Sequence, residues 1–321
     1  MRTCNVLAIV VIVVAGLYLV GRASDSRLPR RLQVYENRTN LVPRLIQHKI
    51  VHVWMYWDEM PFPPSVELCL NNWRHMAARS SVPFHVVVVT QETLSRYVDK
   101  SAHPCLKNEN TQWRALRSDT VRLWLLHKYG GVYMDATCIL TENLDWIAAD
   151  GGLQMFQAYY NTRHMTRRGV PVLESSFLAA PAEHPFVARW LSVFSEMPTC
   201  DRRGIDHALQ DTPIQPYLDR YYHFVYHCVT KMLSRRPLHE FAPYRIRSER
   251  SGKYMSFLSR QNVDDMCTKG TVIAYGPVLK LVGDERRYLD GQIKKGAVER
   301  GSFLWRYLIA INENPARSCV F

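Results

Sequence analysis

One stretch, residues 111–140, constrains the fold more than any other part of the chain. It begins with apolar residues at the spacing of a helix with one buried face: Leu116, Leu123, Leu126 and Tyr129. The glycine pair at positions 130–131 is typical of a helix that ends in a left-handed turn. Val132 and Tyr133 then favour a buried strand, and Asp135 stands at its end. The stretch therefore predicts a helix, a tight turn, a strand and a carboxylate, in that order.

Three polar residues of this stretch are expected to meet. Asp119 and Arg122 are three positions apart and share one face of the predicted helix. The glycine turn folds the strand back against the helix, which brings Asp135 near the same face. In open α/β sheets, ligands bind at this edge, beyond the carboxyl ends of the strands. One carboxylate can serve a divalent cation, and the Asp/Arg pair can hold hydroxyls or a phosphate. The alternative is a surface ion pair beside an ordinary loop aspartate.

The remaining pattern predicts an α/β fold. Upstream of the long helix, the order is strand 50–54, helix 65–78, strand 84–89 and helix 91–98. Downstream of Asp135, apolar runs predict strands at 153–160 and 175–180 and helices at 185–194 and 216–234. This alternation implies a mostly parallel sheet with helices on both sides. No glycine-rich dinucleotide loop follows the first strand, which argues against a dehydrogenase and against a rival Rossmann-like enzyme such as a methyltransferase.

The motifs of this region resemble a known family of enzymes. The matching residues are Ser118-Asp119, Arg122, Gly130-Gly131, Tyr133 and Asp135-Ala136-Thr137, with flanking matches at 48–54 and 176–180. As a set they resemble the glycosyltransferases with a DXD sugar-binding motif, of the capsular-polysaccharide-synthesis type, which are related to initiating mannosyltransferases and glucosylating toxins. The resemblance covers roughly residues 45–195. It departs from the family pattern at Thr137, where the strict motif has a second aspartate.

The resemblance implies a GT-A fold, a Rossmann-like arrangement that binds nucleotide sugars, and the activity of a hexosyltransferase. The donor would be a UDP- or GDP-sugar, and the acceptor a glycan, glycolipid or glycoprotein, with retention of the anomeric configuration. Mn²⁺ or Mg²⁺ would neutralise the leaving diphosphate, held by Asp135 and by the neutral oxygen of Thr137. The implied donor-binding residues are Trp54, Asp119, Arg122, Tyr133 and Asp135, of which Asp119, Arg122 and Asp135 are also the implied catalytic residues. The missing second aspartate leaves an alternative, a catalytically inactive sugar-nucleotide-binding or scaffold protein.

Four side chains near the predicted site need separate interpretation. In the related toxins, the tryptophan at the position of Trp54 stacks on the nucleotide base, so the same role is implied here. Tyr133 would border the nucleoside. Trp54 could instead pack in the core. For Trp57, core packing is the preferred interpretation. Glu174 precedes an apolar run and is expected to flank a strand rather than to face the acceptor.

The charge balance bears on the partners. The formal net charge is +12, and 47% of the residues are hydrophobic, which is ample for a folded core. The basic surplus favours anionic substrates such as sugar nucleotides, or anionic membrane surfaces. No lysine/arginine run is interleaved with aromatic residues, so a nucleic-acid partner is not indicated.

The amino-terminal region predicts a membrane anchor. A short tail at 1–5 precedes an uncharged apolar segment at 6–21, which is interpreted as a signal anchor of a single-pass type II protein in the Golgi or ER membrane. A cleaved signal peptide is the alternative, because small residues follow the segment. Residues 22–47 form a polar stem that carries the N-glycosylation sequon at Asn37. The remaining residues, 48–321, would be the lumenal GT-A-like domain.

The eight cysteines agree with this topology. Cys4 precedes the anchor, and seven cysteines follow it, where an oxidising lumen favours one or more disulfides and leaves one thiol unpaired. No C-x-x-C pair is present, which argues against a zinc ribbon.

Overall fold

The computed structural model describes residues 50–108, 110–148, 155–160, 170–214, 217–236, 238–270 and 276–313. The strands are β1 (Val51–Tyr56), β2 (Phe84–Val89), β3 (Gly131–Met134), β4 (Cys138–Leu140), β5 (Phe156–Tyr160), β6 (Leu173–Ala180), β7 (Ile246–Arg250), β8 (Met255–Phe257) and β9 (Val278–Lys280). The helices are α1 (Pro64–Ala78), α2 (Pro104–Lys107), α3 (Arg114–Tyr129), α4 (Asp145–Ala148), α5 (Pro185–Phe194), α6 (Arg202–Ala208), α7 (Phe224–Arg235), α8 (Ser251–Tyr254), α9 (Arg260–Thr268), α10 (Gly283–Lys294) and α11 (Ala310–Glu313). Short helical turns lie at Leu94–Arg96, Lys100–Ala102, Thr111–Trp113, Leu238–Tyr244 and Trp305–Ile309.

The central sheet has six strands in the order β2-β1-β3-β6-β5-β7. β1 runs parallel to both β2 and β3, whereas β6 runs antiparallel to both of its neighbours, β3 and β5. The predicted α/β class is confirmed, but the predicted mostly parallel sheet is a mixed one. The reason is that an apolar run has the same pattern in either direction, so it cannot reveal how a strand enters the sheet. One consequence is that β6 begins at the edge where β1 and β3 end.

Helix α3 is the long helix that the apolar spacing predicts. Its buried face includes Leu116, Leu123 and Leu126, with at most 2% of each residue exposed. This face packs against the sheet and against helices α5 and α7. The polar face of its middle turns is therefore held at a defined position over the carboxyl ends of β1 and β3.

The turn between α3 and β3 requires glycine at both positions. Gly130 and Gly131 have φ angles of 65° and 96°, so the predicted left-handed turn is confirmed. A Cβ atom on Gly131 would lie 2.3 Å from the carbonyl oxygen of His52, and one on Gly130 would lie 2.4 Å from the backbone nitrogen of Ala182. The turn is therefore enclosed by backbone on both sides, which fixes β3 close to the helix.

A second, three-stranded sheet has the order β4-β9-β8. It follows directly from the first, because only a turn separates β3 from β4. In its register Cys138 of β4 and Phe257 of β8 both lie opposite Lys280, the last residue of β9. Strands on both sides thus fix the backbone of Lys280 beside the end of β3.

Two predicted helices are shorter than expected. Only a single turn at Leu94–Arg96 forms within the predicted helix 91–98. Here the hydroxyls of Thr90 and Thr93 bond to each other's backbone nitrogen, and such bonds compete with helical ones. The predicted helix 216–234 begins only at Phe224, since the Asp219 carboxylate accepts the backbone N–H groups of residues 221 and 222 in a preceding turn.

One disulfide, Cys105–Cys200, joins the α2 region to the segment before α6 and confirms the prediction that disulfides form. Cys69, Cys138, Cys228 and Cys267 are free and buried. Within the described ranges, no helix is both long and apolar enough to cross a bilayer. The predicted anchor, stem and sequon, at residues 6–21, 22–47 and 37, lie outside the described residues.

Candidate active site

A cavity of about 690 Å³ opens at the edge of the central sheet where β1 and β3 end and β6 begins. Its walls include residues after β1 (Trp57, Asp58, Glu59), residues of α3 (Arg114, Ser118, Asp119, Arg122), residues after β3 (Asp135, Ala136, Thr137) and the start of β6 (Glu174, Ser175, Ser176). The remaining walls come from α7 and the turn before it (Tyr222, His223, Tyr226) and from β8, β9 and α10 (Phe257, Lys280, Gly283, Arg286). The cavity is therefore built at the edge that the strand order predicts for ligands.

The three predicted polar residues meet in this cavity. Arg122 Nη1 lies 2.8 Å from Asp119 Oδ1, one turn away on α3. Arg122 Nη2 lies 2.7 Å from Asp135 Oδ1, on the far side of the glycine turn. Since all three side chains line the cavity, the guanidinium holds two carboxylates on one wall. The proximity predicted from the helix–turn–strand pattern is confirmed.

The Arg122 side chain is locked from two further directions. Its Nη1 also donates to the hydroxyl of Ser175 on β6. Its Cζ lies 4.7 Å from the centre of the Tyr133 ring, whose hydroxyl lies 3.2 Å from Ser118 Oγ. Only 1% of Tyr133 is exposed, and it does not line the cavity, so it supports the guanidinium from behind. This placement differs from the expected one beside a nucleoside.

A lysine lies between the two residues expected to hold a metal. Lys280 Nζ is 2.9 Å from Asp135 Oδ2 and 2.7 Å from Thr137 Oγ1. The Thr137 hydroxyl donates its own proton to the backbone oxygen of Leu281 at 2.7 Å. Arg122 and Lys280 thus contact one oxygen each of Asp135. A cation bound by Asp135 and Thr137 would lie beside an ammonium group, so this pair does not fit the predicted Mn²⁺ or Mg²⁺ site.

Burial and charge set different ionisation states for the two aspartates. Burial raises the pKa of Asp119 to about 7, although Arg122 acts in the opposite direction. Burial also opposes ionisation of Asp135, but Lys280 and Arg122 outweigh it and lower the pKa of this group. For Lys280 burial favours the neutral amine, yet Asp135 prevails and the pKa is raised. Asp135 and Lys280 therefore form a charged pair at neutral pH, while Asp119 titrates near neutrality.

Glu174 is a cavity residue that sequence reasoning placed elsewhere. It lies in β6 with 8% of its surface exposed, and it lines the cavity rather than merely flanking a strand. Its Oε1 accepts from the hydroxyl of Tyr226 at 2.7 Å and from the backbone N–H of Ser176 at 3.1 Å. The antiparallel direction of β6 is the cause, because it brings the first residues of that strand to the ligand edge.

The two tryptophans differ from their expected placements. Trp54 has 2% of its surface exposed, and its Nε1 donates to the backbone oxygen of Gly130 at 2.8 Å. Its ring packs against Tyr97 and Tyr129 at 5.6 and 5.4 Å, outside the cavity, so the base-stacking role implied for it does not fit this placement. Trp57, expected in the core, lines the cavity, with Arg286 Cζ 5.7 Å from its ring centre.

Several cavity residues were not singled out from the sequence. Arg114 forms ion pairs with Asp58 and Glu59 just beyond β1, and its Nε lies 3.3 Å from Asp58 Oδ2. Lys280 also gave little signal. It lies in the three-residue strand β9, which the sequence pattern did not predict.

Over the ranges that the structure describes, no group of three or more His, Cys, Asp or Glu side chains is arranged to hold a metal ion. The fold and cavity thus define an α/β protein with a network of two cations and two aspartates at its ligand edge, of which all but Asp135 are buried. The chain belongs to the capsular polysaccharide synthesis protein family, whose sequence model matches residues 25–253. The resemblance seen in the motifs of α3 and β3 is confirmed by this match.

Comparison with individual proteins adds three similarities. The O-glycosyltransferase braB of Annulohypoxylon truncatum is 31% identical over 157 residues, which are 46% of this chain and 37% of that protein. The chain therefore matches little more than a third of the length of this relative. Among solved structures, the PaToxG glycosyltransferase is 12% identical with a TM-score of 0.33, over 60% of this chain and 75% of the other. The galactosyltransferase LgtC, in complex with donor and acceptor sugar analogues, is 10% identical with a TM-score of 0.35, over 79% and 99%. Neither structural likeness is strong enough to assign a fold or an activity.

Proposed function

We propose that this chain is a glycosyltransferase that moves a hexosyl group from a nucleotide sugar to a hydroxyl of a glycan, glycolipid or glycoprotein. The observation that carries the proposal is the Asp119–Arg122–Asp135 network on the wall of the ligand-edge cavity. Membership of the capsular polysaccharide synthesis family and the similarity to an O-glycosyltransferase support it. The alternative of an inactive binding or scaffold protein differs only in lacking turnover.

The size and lining of the cavity suit a sugar nucleotide. Its volume of about 690 Å³ falls within the range of roughly 300–1,000 Å³ that is usual for small-molecule sites. Asp119 and Asp135 keep lone pairs beyond those that Arg122 uses, and carboxylate oxygens accept hydrogen bonds from sugar hydroxyls. Tyr222 and Phe257, which are 67% and 41% exposed, also line the cavity and offer apolar ring faces to a sugar of the acceptor.

In this proposal Arg122 is a positioning residue. Both terminal nitrogens of its guanidinium contact protein groups, namely Asp119, Asp135 and the hydroxyl of Ser175. It fixes the spacing of the two carboxylates, and its positive charge offsets the repulsion between them. The donor in this proposal is a UDP- or GDP-sugar.

The transfer proposed is retaining. The bond between the anomeric carbon and the β-phosphate oxygen breaks, and its electron pair stays on that oxygen. The acceptor hydroxyl oxygen bonds to the same face of the anomeric carbon, and its proton passes to the departing diphosphate. The residues of the cavity orient the two substrates and exclude water from the reacting carbon.

A screen of donor hydrolysis and transfer tests the proposed function. Full-length protein is incubated with UDP- and GDP-hexoses, with and without Mn²⁺, beside Asp135→Asn and the surface control Arg235→Ala. We expect release of nucleoside diphosphate by the wild type and the control, and a loss of at least about a hundredfold in Asp135→Asn, since it removes a charge that holds the sugar and Lys280. Nucleotide binding without turnover would instead identify an inactive binding protein, and full activity of Asp135→Asn would make Asp135 a structural loop residue.

We also propose that residues 6–21 anchor the protein in the Golgi or ER membrane with residues 22–321 in the lumen. The Cys105–Cys200 disulfide supports an oxidising compartment for this part of the chain. Glycosidase treatment should increase the gel mobility of the wild type but not of Asn37→Gln. A protected amino terminus together with a cytosol-accessible carboxyl terminus would contradict this topology.

A further inference from the structure

The ammonium group of Lys280 lies where the motif leads one to expect a metal ion. Its Nζ contacts both Asp135 Oδ2 and Thr137 Oγ1, at 2.9 and 2.7 Å. These are the first and third positions of the D-x-D-like motif, in which a neutral threonine replaces the second acid. Loss of one carboxylate lowers the attraction of the site for a divalent ion, whereas a single positive charge is matched by the single remaining carboxylate.

The position of Lys280 is imposed by the fold rather than by a flexible side chain alone. Its backbone is paired between β4 and β8, with Cys138 and Phe257 as register partners. About 10% of its side chain is exposed, and that part lines the cavity. The ammonium group is therefore held at a defined position by the register of β9 and by its contacts with Asp135 and Thr137.

The same carboxylate has a second cation on its other oxygen. Arg122 Nη2 lies 2.7 Å from Asp135 Oδ1, and Lys280 Nζ lies 2.9 Å from Asp135 Oδ2. Arg122 and Lys280 together carry two positive charges, the charge of one Mn²⁺ ion. A divalent ion bound to Asp135 would have to displace one of these groups or lie beside it, and both outcomes are unfavourable in a buried site.

Lys280 keeps one donor for a ligand. An ammonium group has three N–H donors. Asp135 and Thr137 accept two of them, and no third acceptor is recorded among the described residues. Arg286, also on the cavity wall, lies in the first turns of α10, just after β9, and its Nη1 is 2.6 Å from Asp290 Oδ2. The remaining N–H of Lys280 is suited to a phosphate oxygen, because hydrogen bonds between an ammonium group and phosphate are charge-assisted.

We propose that Lys280 supplies the positive charge for the diphosphate of the donor, so that donor binding and transfer do not require a divalent cation. This inference rests on the proposed glycosyltransferase function. The third N–H of Lys280 donates to a phosphate oxygen of the bound donor. When the glycosidic bond to the β-phosphate breaks and the electron pair remains on the phosphate oxygen, Lys280 stabilises the added negative charge. Asp135 and Thr137 act as the two acceptors that aim the ammonium group.

Calorimetry of nucleotide binding tests this assignment without relying on turnover. Full-length wild-type protein is titrated with UDP, GDP, CDP and ADP, once in EDTA and once in Mn²⁺. We expect at least one nucleotide to bind in EDTA with a dissociation constant within threefold of that in Mn²⁺. Binding that appears only with Mn²⁺ overturns the Lys280 assignment and leaves the proposed function standing. Failure of all four nucleotides to bind under both conditions overturns the proposed function and this inference with it.

Two lysine variants sharpen the test. Lys280→Met keeps the length and apolar stem of the side chain but removes the charge, and the exposed Lys294→Met on α10 is the matched control. In EDTA we expect Lys280→Met to weaken binding of the same nucleotide at least tenfold and Lys294→Met to change it by less than twofold. Wild-type affinity in a folded Lys280→Met protein overturns the assignment. If Lys280→Met fails to fold, the wild-type comparison between EDTA and Mn²⁺ decides the question.

Discussion

The Arg122 guanidinium lies 2.7 Å from the Asp135 carboxylate across the glycine turn that joins α3 to β3. This contact joins the two halves of the motif, because Asp119, on the other side of Arg122, belongs to the helix while Asp135 follows the strand. Residues that are spaced along the sequence thus form one network of contacts, and substitution of each residue tests it.

Removal of Arg122 should damage both stability and activity. Arg122→Ala leaves the buried Asp119 carboxyl without its ion-pair partner, while Asp135, 25% exposed, keeps Lys280, so the change should cost about 3 kcal/mol in the free energy of unfolding. In the fraction that folds, we expect kcat/KM to fall by roughly ten- to over a hundredfold, equivalent to about 1.5–3 kcal/mol. Arg122→Lys should restore little, since lysine lacks the planar fork that reaches Asp119, Asp135 and Ser175 together.

Urea denaturation and donor turnover measure these two effects of the Arg122 variants. The control is Arg235→Ala, whose side chain is 50% exposed and lies 3.7 Å from Glu196, so its removal should change stability by no more than about 0.5 kcal/mol. Wild-type stability and turnover in Arg122→Ala would show that the contacts of the guanidinium are dispensable.

Asp119 should make stability depend on pH. Burial raises its pKa to about 7, so between about pH 4 and 7 the folded protein holds a proton that the unfolded chain has released. The stability that this proton contributes is present below the unfolded pKa and is lost as the pH rises through 7. We expect the wild type to lose up to about 4 kcal/mol relative to Asp119→Asn between pH 4 and 8. Urea unfolding of both proteins across this range checks the sign, and a difference that stays constant or grows in favour of the wild type would contradict it.

Substitutions of Trp54 and Trp57 should have different effects, because the first side chain packs in the core and the second lines the cavity. Trp54→Phe removes the bond to Gly130 and should lower stability by about 0.5–1.5 kcal/mol, with nucleotide affinity unchanged within about twofold. Trp57→Ala, on the cavity wall, should weaken nucleotide binding by about three- to tenfold through loss of aromatic contact. Thermal unfolding and calorimetry distinguish the two. A weaker nucleotide complex in Trp54→Phe at unchanged stability would instead support the base-stacking role.

The glycine turn should be intolerant of a methyl group. Gly131 has a φ of 96°, and a Cβ there would lie 2.3 Å from a backbone oxygen of β1, so Gly131→Ala should cost more than about 2 kcal/mol of stability. Gly291 is the matched control, because it lies in α10 and an added Cβ would meet no other part of the protein within 4 Å. Gly291→Ala should therefore stabilise the protein by about 0.5–1 kcal/mol. Equal midpoints of urea unfolding for the two variants would mean that the turn is more adaptable than its geometry indicates.

Short-range pattern accounts for most of what was predictable. Helical spacing identified the buried face of α3, and a spacing of three placed Asp119 beside Arg122, because both depend only on the geometry of one helix. The glycine pair predicted the reversal that brings Asp135 to the same face. The first strand, α1, β2 and α5 followed from the same rules. These features were determined by the sequence, since each depends only on residues in the same helix or strand or in the next one along the chain.

The tertiary structure decided everything that required distant segments to be paired. The sequence contained no signal for the direction of β6, which brings Glu174 to the cavity, or for the register of β9, which places Lys280 beside Asp135 and Thr137. It also could not tell a tryptophan buried behind the turn from one on the cavity wall. The physical reason is that an amphipathic pattern specifies which side of an element is buried. It does not specify which other element covers that side. The presence of Lys280 beside Asp135 depends on the pairing of β9 with β4, which the pattern does not reveal.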